Sequence, residues 1–122
     1  MSQFPNSIVC LTEESVEFLY EIGCDHLITG VSSFVRRPEK ARKKPVVTAF
    51  THANLKKILG DPPDLVIGFS DIQKDIARDL IGEGLNVFVS NHRSLEETLN
   101  YLNLLGRMVD RKEMAQEVVT SY

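Results

Sequence analysis

LVIGFSDIQKDIARDLIGEGLNVFV, residues 65–89, is the stretch that decides the fold. Its first five residues are apolar on both faces, as is typical of a buried strand in a parallel sheet. Ser70 and Gln73 then have the spacing of a helix-capping box, and apolar residues recur at helical intervals behind them. Two glycines end the helix before a β-prone run at 85–89. The stretch is therefore a strand–helix–strand unit, which should cross over right-handed.

The same alternation extends in both directions from this unit. Thr12 offers a side-chain oxygen to cap the first helix, and Gly23 is a plausible C-terminal stop for it. Within 122 residues the pattern predicts one domain, a three-layer α/β/α sandwich with a mainly parallel sheet of four to five strands. The other predicted elements are strands at 7–11, 27–31 and 46–50, a short helix capped by Asn54, a helix from a Ser94 capping box to Gly106, and a last helix from about Asp110.

Composition excludes several classes of function. A net charge of −3 argues against nucleic-acid binding, which needs a broadly cationic surface. No apolar run approaches the roughly 18 residues that span a bilayer, so no membrane insertion is expected. The first residues lack the pattern of a secretory signal, which predicts a cytoplasmic chain as written, or a periplasmic one if a signal sequence has been omitted. Cys10 and Cys24 fit no metal or redox spacing, and a buried thiol is the expected state of Cys10.

Polar loops follow the strands and mark the expected site. In open parallel sheets, ligands bind beyond the carboxyl ends of the strands. Helices begin in three of these loops, and the free N–H groups at a helix start favour an anionic ligand group. Each capping residue taken alone is better explained by its structural role at the helix end. The loops lie at 12–14, 32–37, 50–52, 69–71 and 91–93.

Charged side chains in these loops leave several interpretations open. Residues 36–44 hold six basic residues in nine, which form either an anion site or a solvated loop, and Arg36 and Arg37 lie nearest the strand end. His52 and His92, with Asp71, could bind a metal, but ordinary loop hydrogen bonding is the preferred interpretation. No nucleophile elbow, phosphate loop, dinucleotide fingerprint or zinc spacing occurs, so a hydrolase or transferase is the weaker hypothesis and we expect a protein that is not an enzyme.

The order of short motifs carries a family resemblance. Ile8-Val9-Cys10-Leu11 is followed by Thr12-Glu13, and Thr29-Gly30-Val31-Ser32 precedes Pro38 at the family's spacing. Asn54 to Ile58, Asp64-Leu65-Val66 and Leu104-Leu105-Gly106 continue the match. In this order the motifs resemble the N-terminal lobe of the substrate-binding proteins of ABC importers that bind cobalamin and iron siderophores. The ligand-binding positions that the resemblance implies are Thr12, Glu13, Phe34, Arg36, Phe50, Thr51, Ser70, Asp71 and Arg93.

The resemblance implies non-catalytic binding of a metal complex between two lobes. The ligand would be a corrinoid, an iron siderophore or a related chelate, bound as cargo rather than as a resident cofactor. Residues 1–108 would form one lobe and 109–122 would start a helix between lobes, so the expected partners are a second lobe or a second copy of the chain. Lys56 stands where the family has an acidic residue that docks to the permease, which argues against that docking. The alternative is an interaction or scaffold domain that kept the fold without the ligand.

Overall fold

A computed structural model describes residues 5–49, 52–70 and 73–122, with only the backbone at His52. The described strands are β1 (Ile8–Cys10), β2 (Ile28–Ser32), β3 (Val46–Ala49), β4 (His52–Ala53), β5 (Leu65–Phe69) and β6 (Val87–Ser90). The helices are α1 (Glu13–Glu21), α2 (Leu55–Gly60), α3 (Lys74–Gly82), α4 (Leu95–Met108) and α5 (Lys112–Thr120), with short 3₁₀ turns at Asp25–Leu27 and Glu39–Lys43.

The described strands form one sheet in the order β4-β3-β2-β1-β5-β6. Strands β1, β2, β3, β5 and β6 run parallel, which confirms the predicted α/β class and its mainly parallel sheet. The two-residue strand β4 adds an antiparallel edge beside β3 that the sequence pattern does not predict. Strands β1 and β5 are parallel neighbours inside the sheet, so their carboxyl ends lie side by side, and this is where the site is built.

Two apolar cores cover the two faces of the sheet. In β1, Ile8 and Cys10 belong to the core beneath α1, α4 and α5, whereas Val9 belongs to the core beneath α2 and α3. This division follows from the period of two in a strand, which sends alternate side chains to opposite faces. Cys10 and Cys24 are both free and fully buried, so the expected buried thiol at Cys10 is confirmed.

Helix starts agree with the sequence at Ser94 and Asn54 and disagree at Ser70 and at Thr12, whose side chain makes no capping hydrogen bond. Ser94 accepts a hydrogen bond from the Glu97 N–H at 3.1 Å, and Asn54 caps α2 in the same way. The capping box at Ser70 is wrong: α3 begins at Lys74, and the Gln73 N–H donates to the carbonyl oxygen of Ser70. Ser70 has φ 62°, which is left-handed backbone rather than the extended backbone of a capping residue.

Helix α5 packs on α4 at a close crossing. A Cβ built at Gly106 would overlap Cβ of Ala115, so the absence of a side chain at this position lets the helices approach. Within the described residues, no helix is both long enough and apolar enough to cross a membrane.

Candidate functional site

A cleft of about 480 Å³ opens at the carboxyl edge of the sheet. It lies beyond the ends of β1, β2 and β5, where the topology of an open parallel sheet places ligand sites. Three of the predicted residues, Thr12, Glu13 and Phe34, lie together in its wall. The residues that line the cleft are Leu11, Thr12, Glu13, Glu14, Ser32, Phe34 and Phe69.

Phe34 forms an exposed apolar edge of this cleft. Its N–H donates to Ser32 Oγ at 3.2 Å, in a tight turn just after β2. The turn leaves the phenyl ring 48% exposed. A ring this exposed at the rim of a cleft offers apolar surface that a flat ligand would cover.

Thr12 lies at the start of α1, but its hydroxyl does not cap the helix as predicted. Thr12 Oγ1 lies 2.7 Å from Ser15 Oγ, and Ser15 Oγ donates to the Thr12 carbonyl oxygen at 3.0 Å. Both side chains are buried. Because the two hydroxyls bond to each other, Thr12 holds the turn between β1 and α1 in place at the floor of the cleft.

Gln73 joins two strand ends beneath the cleft. Its Oε1 accepts from the Phe69 N–H at 2.8 Å, and its Nε2 donates to the Leu11 carbonyl oxygen at 3.1 Å. The residue is 1% exposed. The sequence pattern misses this role, because Gln73 has the spacing of a capping-box residue and nothing local indicates that its side chain reaches β1.

Ser70 and Arg93 contact each other beside the cleft. The Arg93 guanidinium donates to Ser70 Oγ at 2.9 Å and to Asn91 Oδ1 at 2.8 Å. These two predicted residues are therefore brought together, but neither lines the 480 Å³ cleft. Arg36 also lies outside it and lines a neighbouring polar pocket that shares Ser32 with the cleft.

An aromatic cluster of His92 and Tyr101 adjoins Phe69. The His92 ring lies 4.6 Å from the Phe69 ring and 4.7 Å from the Tyr101 ring, measured between ring centroids. A hydrogen bond of 2.6 Å joins Ser90 Oγ and His92 Nδ1. Burial raises the pKa of the Tyr101 phenol well above its usual range. Phe69 belongs to the predicted loop 69–71 but is not among the ligand-binding positions that the resemblance implies, and Tyr101 is not predicted because its pattern is that of an ordinary core position.

The other predicted site residues lie outside the part of the chain that the structure describes. Phe50, Thr51 and Asp71 lie outside the described residues, as does the side chain of His52. Among the side chains that the structure describes, no group of three or more His, Cys, Asp or Glu residues is placed to hold a metal ion.

A family model described as "Periplasmic binding protein" matches residues 8–122. The chain belongs to this family of periplasmic binding proteins. The match confirms the family resemblance drawn from the order of motifs.

Similar proteins cover the whole of this chain but only part of their own length. A vitamin B12-binding protein of Yersinia pestis (strain Pestoides F) is 22% identical over 99% of this chain and 44% of its own. A periplasmic heme-binding protein from Pseudomonas aeruginosa has a TM-score of 0.89 at 20% identity, over 98% of this chain and 43% of its own. The siderophore-binding protein BauB, bound to two acinetobactin molecules and ferric iron, has a TM-score of 0.84 at 15% identity, over 98% and 45%. The structural likenesses establish the fold.

This chain spans about half the length of the curated relatives that it matches. The wall of the cleft that the structure describes is formed by the strand ends and the start of α1.

Proposed function

We propose that this chain forms one lobe of a non-catalytic binding protein for a metal complex: a corrinoid, an iron siderophore or a related chelate such as heme. The observation that carries the proposal is the cleft at the carboxyl edge, where Phe34 and Phe69 provide aromatic surface and Thr12, Glu13 and Ser32 provide polar groups. This combination suits a large, flat ligand with polar substituents.

Size and exposure support the proposal. The cleft volume of about 480 Å³ is in the range of small-molecule sites. A ligand that covered the 48% exposed ring of Phe34 would remove apolar surface from water. We propose that a second lobe, reached through a helix that starts within 109–122, or a second copy of the chain, covers the other side of the ligand.

Location and partners follow from the family in the same way. The family is periplasmic, so we propose a periplasmic site of action, the second of the two locations considered from the sequence. Lys56 lies exposed on α2, at the position where the family has an acidic residue that docks to the permease. Its positive charge does not suit that contact. We therefore propose no permease contact through this helix.

Isothermal titration with cyanocobalamin, hemin and a ferric hydroxamate siderophore tests the proposal. At least one complex should bind saturably, with one ligand per chain or, where two copies share it, one per pair of chains. Phe34→Ala should weaken that binding about tenfold or more, since burying a phenyl ring contributes roughly 1.5–3 kcal/mol. Ile81→Ala is the matched control, because Ile81 is an exposed apolar side chain on α3 that does not line the cleft. Saturable binding of none of the three complexes, or equal binding by the Phe34 variant, would contradict the proposal.

A further inference from the structure

A second, smaller pocket adjoins the cleft. It measures about 370 Å³, and its wall is mainly polar. Ser32 lies in the walls of both, so the two pockets adjoin at this residue. We call it the arginine pocket; its lining residues are Ser32, Ser33, Val35, Arg36, Arg42 and Val46.

Two exposed arginines, six residues apart in the sequence, line the arginine pocket. Arg36 follows the end of β2, and Arg42 comes from the 3₁₀ turn Glu39–Lys43. No carboxylate is among the lining residues, and no ion pair forms to either arginine within the described part of the chain. Two guanidinium groups thus share a polar pocket whose walls supply hydroxyl groups and no counter-charge.

The neighbouring basic residues do not share this position. Arg37 lies 3.9 Å from the Glu17 carboxylate and faces α1. Lys44 Nζ donates to the Asp25 carbonyl oxygen at 3.0 Å. The basic run 36–44 is therefore not uniform, because its members are divided between structural contacts and the arginine pocket.

We propose that the arginine pocket binds an anionic oxygen group, a carboxylate or a phosphate, on an arm of the metal complex held in the cleft. The proposal rests on the proposed function and narrows the ligand to a complex that carries such an arm. Guanidinium groups bind both kinds of oxyanion through paired N–H donors. Glu13 and Glu14 line the cleft on the side of α1 and repel an anionic arm, so the arm points toward Arg36 and Arg42.

The test compares hemin, which has two carboxylate arms, with its dimethyl ester, which has none. Binding to the 122-residue chain is followed by the change in the absorbance of the porphyrin. Wild type should bind the diacid more tightly than the ester, and Arg36→Gln and Arg42→Gln should each weaken binding of the diacid about tenfold while leaving that of the ester unchanged. Arg37→Gln and Lys43→Gln remove the same charge from the same run and should behave as wild type.

Competition separates the two anionic groups. Inorganic phosphate or acetate is added at constant ionic strength, and stronger displacement by one of them shows which oxyanion the pocket prefers. Equal binding of diacid and ester, with Arg36→Gln unchanged and no competition by phosphate, would overturn the inference and leave the proposed function standing. If none of the metal complexes binds, including cyanocobalamin and the siderophore, the proposed function fails and the inference fails with it.

Discussion

Replacing Gln73 by methionine should strongly destabilise the chain. Methionine keeps the volume of the side chain but removes the bonds from Gln73 to the Phe69 N–H and the Leu11 carbonyl oxygen. Because the side chain is 1% exposed, water cannot replace either partner without opening the floor of the cleft. Each unsatisfied buried group costs about 1–3 kcal/mol, so the loss of both partners should lower the free energy of unfolding by about 2–6 kcal/mol.

Urea unfolding followed by circular dichroism measures this loss. A fall of that size is a large fraction of the roughly 5–15 kcal/mol that stabilises a typical domain. Gln116→Met is the matched control: Gln116 lies exposed on α5, and its replacement should change the stability by less than about 0.5 kcal/mol. A loss below about 1 kcal/mol for the Gln73 variant would show that its two hydrogen bonds do not hold the strand ends together.

A pH series on Gln73→Glu tests the same contacts by another route. The protonated carboxyl can still accept from the Phe69 N–H and donate to the Leu11 carbonyl oxygen, whereas the ionised carboxylate cannot donate and is buried. Burial therefore raises the pKa of the introduced carboxyl in the folded state. The variant should be most stable below the pKa of the carboxyl in the unfolded chain, about 4.3. Above that pH its free energy of unfolding should fall by about 1.4 kcal/mol per pH unit, until the pH passes the pKa of the carboxyl in the folded chain. A difference from wild type that does not change with pH would refute this account.

Three further predictions concern packing, capping and thiol reactivity. Gly106→Ala should lower the free energy of unfolding in urea by about 1–3 kcal/mol, because the new methyl group overlaps Ala115. Adding Ala115→Gly should restore part of the loss. Unchanged stability of Gly106→Ala would refute the close crossing. Ser94→Ala should cost about 1 kcal/mol by removing the cap of α4, whereas an unchanged midpoint would show that the cap contributes nothing. Burial raises the pKa of the Cys10 thiol to about 12 and also raises that of Cys24. A disulfide reagent at about pH 8 should therefore modify neither thiol until denaturant is added. Rapid modification of the native chain would contradict their burial.

Much of the fold could be predicted because local patterns and tertiary environment agree. The apolar run of β5 indicates burial on both faces, and β5 lies between β1 and β6 with helices above and below. Strand β4 shows where this reasoning stops. A strand of two residues is too short to express the period of two from which a strand is predicted, so the antiparallel edge depends on its pairing with β3.

The site could be predicted only as far as topology determines it. The rule that parallel strands end at a common edge predicts that the loops 12–14 and 32–37 lie near each other, and in the structure Thr12, Glu13 and Phe34 of these loops line one cleft. It cannot show that Gln73 joins β1 to β5, because that contact spans 62 positions in the sequence. The capping role of Ser70 is wrong for a related reason: a serine three residues before a glutamine fits a capping box, and only the structure shows that α3 begins at Lys74 and that Ser70 has left-handed backbone.

The charges around the cleft predict which feature would orient an anionic ligand. The first turn of α1 presents N–H groups and the positive end of the helix dipole, which alone would attract an anion. Glu13 and Glu14 occupy that same turn, and their carboxylates oppose this attraction. Arg36 and Arg42, beyond Ser32, have no such opposing charge in the lining of their pocket. If the arginine pocket binds the anionic arm as proposed, that pocket rather than the helix terminus directs it. Neutralising Glu13 should then tighten binding of hemin, followed by porphyrin absorbance, whereas neutralising Arg36 should weaken it.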